Sequence, residues 1–219
     1  MQSFSVGLPK CGIEPKLRLG DSRGERMKPN RAPRAPKAVH VREELRISTD
    51  ALRILVVSDT HGRPHAKLGM RIAEVAPTRI FHAGDVGDLA VLRDLEAQAP
   101  VTAVRGNIDG RDLPDLVTID VRRDELRLLK ILLTHVAVYG VKVRADVARI
   151  ARAEGASLVV CGHSHVPFAA QSDGITVFNP GSVGPRRFQL PIVFGVIDVG
   201  AHGASVHHVD CETGLPWKP

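Results

Sequence analysis

The chain has 219 residues, of which 43% are hydrophobic, and a formal net charge of +6 at pH 7. A chain of this length buries one substantial core, so we expect a single domain with an appendage. It contains no run of about 18 apolar residues, which excludes a membrane-spanning helix and a membrane partner. Its three cysteines are far apart and odd in number, which favours a reducing, cytoplasmic environment over a disulfide framework.

The positive charge is concentrated at the N-terminus. Residues 1–40 hold nine Lys or Arg side chains and three acidic ones, whereas the rest of the chain has 21 of each sign. Prolines interrupt this segment and it shows no apolar periodicity. We therefore predict a basic, proline-rich, disordered tail over residues 1–50 and one domain over residues 51–219. Two interpretations of the tail stay open: a solvated extension, and an arm that contacts nucleic-acid phosphates.

From residue 52 the pattern changes to apolar strands that alternate with helices. Strands are predicted at residues 52–58, 79–83 and 101–105, with helices at 64–75 and 86–98 between them. This β-α-β-α-β order predicts parallel strands.

The second half of the chain is richer in strands. We predict them at residues 116–121, 126–134, 157–161, 167–171, 175–178, 192–199 and 205–209. One helix is predicted over residues 142–154, closed by Gly155. The predicted fold class is α/β: a four-layer α/β/β/α sandwich of two mixed sheets with outer helices.

Metal-binding side chains follow five of these strands. They are Asp59 and His61, Asp85, Asn107 and Asp109, His135, and His163 and His165. Because ligands in α/β sheets gather at the carboxyl ends of strands, we expect these side chains to share one rim. Carboxylate, imidazole and amide donors in this number suit two divalent cations that share one ligand.

The chemistry and spacing of these residues indicate what each contributes to metal binding. Asp85 lies midway through it, and a carboxylate is the ligand best able to bridge two cations. Alternate residues of an extended segment project to the same side, so Asp59 and His61 are expected to face one cleft. Gly84, Gly106 and Gly162 are expected to let the backbone turn sharply.

With these motifs the chain closely resembles the calcineurin-like metallophosphoesterase superfamily, whose marks are D-x-H, G-D, G-N-[HC]-[ED], a later His and G-H-x-H. The resemblance runs from residue 52 to about 209 and includes the turn at residues 179–182, Asn-Pro-Gly-Ser, typical of small bacterial and archaeal phosphodiesterases. It implies one cation on Asp59, His61, Asp85 and His165. It implies a second on Asp85, Asn107, His135 and His163.

The chain departs from the family pattern at two positions. Larger members carry a His, assigned to protonating the leaving group, where this chain has Ile108, and Asp109 fills the acidic place. Small members often lack that His as well. The second departure is Val136, where the family shows Gly after the His; a β-branched residue disfavours positive φ, so the loop after His135 is expected to differ.

The sequence therefore predicts a phosphoester hydrolase, in particular a phosphodiesterase, that acts through in-line attack by a hydroxide bridging two metal ions. Asp85, Asn107 and His163 are assigned to catalysis. Manganese is the expected metal, with iron, nickel, cobalt and zinc compatible with the donors. Arg186 is the candidate contact for the phosphate of a small phosphoester substrate, and the neighbouring Arg187 is an alternative. A noncatalytic scaffold on the same fold and a nucleic-acid-processing nuclease are the alternatives, and the oligomeric state stays open.

Overall fold

The computed structural model describes residues 37–48, 51–140, 142–200 and 203–218. Two six-stranded sheets dominate it. The first has the order β1 (His40–Arg46), β5 (Leu116–Arg123), β6 (Leu126–Thr134), β9 (Leu158–Val160), β11 (Ile175–Asn179) and β10 (Phe168–Ser172). The second has the order β14 (Pro216–Trp217), β13 (Gly203–Asp210), β12 (Val193–Gly200), β2 (Leu52–Val57), β3 (Arg79–His82) and β4 (Val101–Ala103).

Both sheets are mixed. Strands β2, β3 and β4 pair in parallel, as the β-α-β-α-β order predicted, whereas β12 and β13 join the same sheet antiparallel. In the first sheet β6, β9 and β11 are parallel, and β5 and β10 pair antiparallel with their neighbours β6 and β11.

The described residues form three helices, α1 (Leu68–Val75), α2 (Ala90–Glu96) and α3 (Ala145–Glu154). Apolar side chains from the facing sides of the two sheets, such as Ile54, Phe81 and Ile131, form one buried core. A second core lies between α1, α2 and the second sheet, and a third between α3 and the first sheet. These three cores separate four layers, which confirms the predicted α/β/β/α sandwich. None of the described helices is long and apolar enough to cross a membrane.

Strand β1 corrects the predicted start of the domain. Residues His40–Arg46 were assigned to the tail, yet they pair in parallel with Leu116–Arg122 of β5 over seven positions. This segment contains only two apolar residues, Val41 and Leu45, among charged ones, and at the edge of a sheet the charged side chains remain solvated. The domain therefore includes residues from Lys37 onward. The prediction of a disordered tail falls otherwise on residues 1–36, 49 and 50, which lie outside the described residues.

Two helices begin later than predicted, because the segments before them form hydrogen bonds with other loops. The backbone N–H of Gly62 donates to Val86 and that of His65 to Val183, so the segment before α1 is held by neighbouring loops. In the same way, the N–H groups of Val86 and Gly87 donate to the carboxylate of Asp109, and α2 starts only at Ala90.

A short hairpin replaces the first turn of the third predicted helix. Strands β7 (Val138–Tyr139) and β8 (Lys142–Val143) pair antiparallel, and α3 begins at Ala145. The helix ends at Gly155 with φ of 70°, as predicted. The hairpin begins three residues after His135, and Val136 is not among the residues with positive φ. That this loop differs from the one in other family members stays a prediction.

Candidate metal centre

The loops after β2 and β3 are joined by backbone hydrogen bonds, and this joins the D-x-H and G-D motifs. The N–H of Asp59 donates to the carbonyl of Gly84 at 2.9 Å, and the N–H of His61 donates to that of Asp85 at 3.0 Å. The ring of His82, which is buried, bridges the same loops: Nε2 lies 2.9 Å from Oγ1 of Thr60, and Nδ1 accepts from the N–H of Gly84. The parallel pairing of β2 and β3 therefore brings these ligands together.

Asp59, His61 and His165 form a first group of possible metal ligands. Nε2 of His165 lies 3.3 Å from Oδ1 of Asp59 and 3.3 Å from Nε2 of His61. The two imidazole rings are stacked with their centroids 5.2 Å apart. Two imidazoles and a carboxylate thus converge although they come from loops about a hundred residues apart in the sequence.

Asp59, Asp85 and His135 form a second group. Nδ1 of His135 lies 2.7 Å from the carbonyl oxygen of Ala83, which can only accept, so this nitrogen carries the proton. The lone pair of Nε2 then faces the cluster, 3.4 Å from Oδ1 of Asp85. A metal-binding histidine commonly donates the N–H of its other ring nitrogen to a backbone carbonyl, and His135 has this arrangement with Ala83.

The two carboxylate oxygens of Asp85 face the two groups. Oδ1 lies on the side of His135, and Oδ2 lies 3.9 Å from Nε2 of His61. The N–H of Ile108 donates to Oδ1 at 3.2 Å, which fixes the carboxylate. Asp59 also belongs to both groups, a feature that the sequence did not suggest.

The remaining two predicted ligands are more exposed. The ring of His163 stands edge-on to that of His135, with centroids 5.2 Å apart, and its backbone N–H donates to Oδ2 of Asp59. Asn107 lies on the loop after β4, where its side chain is exposed. Its neighbour Ile108 binds Asp85 through the backbone, so this loop contacts the cluster.

Five of the seven predicted ligands have positive φ. They are Asp59 (55°), His61 (48°), Asp85 (54°), His163 (71°) and His165 (59°). The expectation that Asp59 and His61 converge from an extended segment is therefore wrong in its geometry, although the two side chains do converge. Each left-handed residue of this kind costs about 1–3 kcal/mol and persists where the surroundings enforce it. Asp and His tolerate this region better than most residues, and its concentration here is typical of a functional site.

The motif glycines act in two different ways. Gly84 has φ of 92°, as a sharp turn requires. Gly162 does not have positive φ; instead, a Cβ at that position would overlap Oγ of Ser58 and approach Oδ2 of Asp59. Only glycine fits there, because the G-H-x-H loop must pass directly against the D-x-H loop.

Several buried polar atoms in the cluster have no hydrogen-bond partner. They include Oδ1 of Asp59 and Nε2 of His135, which both face the cluster. An unpaired buried polar atom costs about 1–3 kcal/mol, so such atoms in one cluster call for a ligand. A carboxylate oxygen and an imidazole nitrogen with a free lone pair are donors that divalent cations bind. The residues present therefore fit a metal centre.

The ionisation of the cluster has identifiable causes. Burial raises the pKa of Asp59 to about 6. Burial, followed by the charge of Arg187, lowers the pKa of His165 to about 4. Burial also lowers the pKa values of His61 and His163. These three imidazoles are therefore neutral at pH 7, which is the form that binds a metal.

Asp85 and His135 shift as a pair. Burial alone raises the pKa of Asp85, but His135 and the N–H groups of Ile108 and Asn107 outweigh it, and the pKa of Asp85 lies well below its usual range. Burial lowers the pKa of His135, but the carboxylates of Asp85 and Asp59 outweigh it, so that this pKa is raised. Asp85 is thus a carboxylate at any pH near neutrality.

The arginine at the centre is Arg187, whereas Arg186 was the candidate named from the sequence. Nη1 of Arg186 donates to the carbonyl of Leu190, and its Nη2 pairs with Glu212, so its guanidinium is engaged at the surface. Nη2 of Arg187 lies 3.1 Å from Nε2 of His61. The geometry therefore favours Arg187 over Arg186 as the phosphate contact, a role that stays a prediction for either residue. Two adjacent arginines in one loop point to different surroundings, which no local pattern reveals.

Asp109 is a support for the backbone. Its Oδ2 accepts from the N–H groups of Gly106 and Val86, at 2.7 and 3.1 Å, and its Oδ1 accepts from that of Gly87 at 2.9 Å. Three backbone donors on one carboxylate tie the loop after β4 to the loop that follows Asp85. Both oxygens are used in this way, so Asp109 is poorly suited to protonate a leaving group.

The Asn-Pro-Gly-Ser turn fastens two of the ligand loops. Nδ2 of Asn179 donates to the carbonyl of Gly162 at 2.7 Å and to Oγ of Ser164 at 3.1 Å. Oγ of Ser182 donates to the carbonyl of Asp59 at 3.1 Å. The carbonyl of Asn179 in turn accepts from Nε2 of His208, which is buried. The turn motif therefore acts by holding the D-x-H and G-H-x-H loops in place.

Comparison with known proteins agrees with this geometry. Residues 52–202 match the model of the calcineurin-like phosphoesterase superfamily domain, which is more than half of the chain. The chain belongs to this superfamily. A probable metallophosphoesterase of Methanothermobacter thermautotrophicus is 30% identical over 148 residues, which cover 63% of this chain and 81% of the relative.

Solved structures share the fold at lower identity. Vacuolar Protein Sorting 29 from Cryptosporidium parvum superposes with a TM-score of 0.61 at 17% identity, over 77% of this chain and 96% of that one. A structure described as a novel archaeal phosphodiesterase has a TM-score of 0.54 at 19% identity, over 73% of this chain and 99% of that one. At these identities the likeness concerns the two-sheet architecture that brings the five ligand loops together.

Proposed function

We propose that this protein is a phosphodiesterase that hydrolyses a small phosphoester with two divalent metal ions. The observation that carries the proposal is the position of Asp85. Its two oxygens face two different groups of imidazoles, around His61 and around His135. Membership of the superfamily supports hydrolysis of phosphoesters in general, and the paired arrangement of donors supports a centre of two ions.

The proposed ligand sets combine these two groups with Asn107 and His163, the further ligands that the family resemblance implies. Asp59, His61 and His165, joined by Oδ2 of Asp85, would hold one ion. His135, His163 and Asn107, joined by Oδ1 of Asp85, would hold the other. Buried donors without partners support both sets, Oδ1 of Asp59 in the first and Nε2 of His135 in the second. The contact of the Asn107 loop with Asp85 adds support for the second. Manganese is the proposed metal, and iron, nickel, cobalt and zinc also suit mixed nitrogen and oxygen donors.

Bound at these residues, two divalent cations would lower the pKa of water and withdraw charge from the phosphate oxygens. The residues of the chain have their own tasks. Asp85 orients both donor groups, and its low pKa keeps it charged. Arg187, beside His61, is placed to donate to a non-bridging phosphate oxygen, and a planar guanidinium does so with two parallel N–H groups.

The leaving group receives little help from the chain. Ile108, at the position of the acid in larger family members, is half exposed and has no proton to give, and Asp109 is occupied by three backbone donors. Substrates whose leaving oxygen departs as a stable anion should therefore react best. The resemblance of the turn at residues 179–182 to that of small phosphodiesterases supports a diester as the substrate.

A metal-exchange experiment tests the proposal. The protein is stripped with a chelator, and each of manganese, iron, nickel, cobalt and zinc is added back in turn. Each form is assayed on matched monoesters and diesters with the same aryl leaving group. We expect activity to return at two ions per chain and to favour diesters. Folded protein that binds fewer than two ions, or that hydrolyses no ester with any metal, would overturn the proposal and favour a noncatalytic scaffold.

A further inference from the structure

A large apolar pocket lies beside the metal centre on the outer face of the first sheet. Its volume is about 690 Å³, which is within the range of ligand pockets. One wall is the β7–β8 hairpin with Val138, Tyr139 and Val143, and the opposite wall is β10 with Phe168 and Ala170. The pocket is thus bounded mainly by aliphatic and aromatic side chains, in contrast to the charged cluster next to it.

The pocket and the metal centre share residues. His163, a proposed ligand, and Ser164, which follows it in the G-H-x-H loop, both line the pocket. Oγ of Ser164 is held by Nδ2 of Asn179, and it accepts from the N–H of Val166 at 3.2 Å. This rim is therefore fixed, and a group attached to a phosphate at the centre can enter the pocket past His163.

Part of the apolar lining is exposed to solvent. The side chains of Tyr139 and Val166 are 68% and 44% exposed, whereas Val177, which also lines the pocket, is buried. Large exposed apolar side chains grouped around one concavity mark a binding surface more often than chance exposure. The hydroxyl of Tyr139 accepts from Nη1 of Arg144, which turns its polar end toward α3.

We propose that this pocket binds an apolar ester group of a phosphodiester whose phosphate lies at the metal centre. The inference rests on the proposed function and adds the substrate class: a diester with at least one aromatic or similarly apolar substituent. Burial of such a group favours it over a small one by roughly 25 cal/mol per Å² of apolar surface, so the preference is large enough to measure.

The test uses two diesters with the same leaving group. Methyl p-nitrophenyl phosphate and phenyl p-nitrophenyl phosphate differ only in the second ester group, and each rate is divided by the uncatalysed hydroxide rate. We expect the manganese-loaded protein to favour the phenyl ester by about tenfold or more in kcat/KM, which corresponds to ~1.4 kcal/mol. An equal kcat/KM for the two esters overturns the inference and leaves the proposed function intact.

Strand β10 supplies a matched pair of variants. Ala170 lines the pocket, whereas its exposed neighbour Ala169 is not among the lining residues. Ala170→Phe should fill the pocket and bring the phenyl preference close to one, while hydrolysis of the methyl ester persists as a check of folding. Ala169→Phe should keep the preference. The inference is overturned if Ala170→Phe keeps the preference for the phenyl ester, or if both variants lose that preference to the same extent. If Ala170→Phe does not fold, the comparison of the two esters on the unaltered protein decides.

A binding measurement separates this inference from the proposed function. Phenylphosphonate and methylphosphonate are titrated calorimetrically into the manganese-loaded protein at several temperatures. We expect phenylphosphonate to bind about tenfold more tightly, with a more negative heat-capacity change, and Ala170→Phe to remove the difference. That binding result would support the pocket even if neither diester were hydrolysed. A failure to hydrolyse both diesters would refute the proposed function but not the pocket. Equal binding of the two phosphonates overturns the inference and would favour a protein partner for this surface.

Discussion

Gly106 lies against Asp85 so closely that a Cβ built on the glycine would overlap both the backbone nitrogen and Oδ1 of Asp85. The φ of Gly106 is not positive, so the glycine is required for the approach of the two loops and not for a turn. The G-N motif and the G-D motif are therefore one unit in space. The carboxylate proposed to bridge the two metals depends on a missing side chain twenty-one residues later in the sequence.

Gly106→Ala should displace Asp85. We expect the unfolding free energy to fall by about 1–3 kcal/mol, as for other overpacked sites, and metal content to fall with it. Gly110→Ala is the control on the same loop, because a Cβ there would meet only the carboxylate of Asp112, at 3.4 Å. Thermal unfolding and metal analysis of the two variants check the prediction. Full metal content in Gly106→Ala would contradict the proposed dependence of Asp85 on this glycine.

Asp85→Asn should weaken metal binding while the fold persists. Loss of a residue that only supports a ligand already costs about 10–100-fold in metal affinity, so loss of the shared ligand should cost at least as much. Hydrolysis should fall in parallel. Asp94→Asn, on the exposed side of α2, is the matched control. Two tightly bound ions and full activity in a folded Asp85→Asn protein would refute the bridging assignment.

Arg187→Ala should impair hydrolysis more than Arg186→Ala. A hydrogen bond to a charged group contributes about 1.5–3 kcal/mol, so kcat/KM should fall by about 10- to 100-fold when Arg187 is removed. Arg187→Lys should retain part of the activity, because it keeps the charge without the planar pair of donors. The kcat/KM of Arg186→Ala should remain near that of the unaltered protein, since the guanidinium of Arg186 pairs with Glu212 and not with the metal centre. Steady-state kinetics of the three variants decide; a larger effect from Arg186 would return the phosphate contact to that residue.

Ile108→His should help poor leaving groups. General acid catalysis contributes roughly 10²- to 10⁴-fold, and the unaltered chain lacks a suitable acid, so it should hydrolyse aryl diesters far faster than alkyl diesters. The substitution should narrow that gap. Ile108 is 53% exposed, so the polar ring should be accommodated without loss of stability. A leaving-group series with chemistry rate-limiting provides the measurement, and equal rates for aryl and alkyl diesters would mean that another group delivers the proton.

Metal binding should weaken as the solution is made more acidic. The pKa of Asp59 is about 6 in the metal-free protein and that of His135 is raised, so both carry protons at acidic pH, and a metal must displace them. Below about pH 6 the affinity should therefore fall by about tenfold per pH unit for each displaced proton. Calorimetry in two buffers of different ionisation enthalpy counts the protons released. We expect metal binding to release more protons at pH 5.5 than at pH 8. Release of the same number of protons at both pH values would contradict the assignment of these ligands.

Much of the fold followed from local patterns. The alternation of apolar strands and helices from residue 52 predicted parallel strands β2, β3 and β4, because such strands are apolar on both faces and need a crossover between them. Strand β1 escaped prediction because an edge strand buries little and reads as a charged, mixed segment. The β7–β8 hairpin escaped because two-residue strands leave no periodicity, and Lys142 and Val143 fit a helical pattern equally well.

The sequence by itself determined which metal donors the protein has, since carboxylate, imidazole and amide groups are set by residue type. It also determined that strand ends carry these donors to one rim, since parallel strands end at a common edge of the sheet. Only the tertiary structure decided how they face one another. The left-handed conformations of Asp59, His61 and Asp85, the tautomer of His135 and the position of Arg187 beside His61 all depend on contacts between loops distant in the chain. The apolar pocket beside His163 likewise exists only because β7, β8 and β10 converge. A pattern along one strand reports its own burial, but it cannot report what a loop a hundred residues away places opposite it.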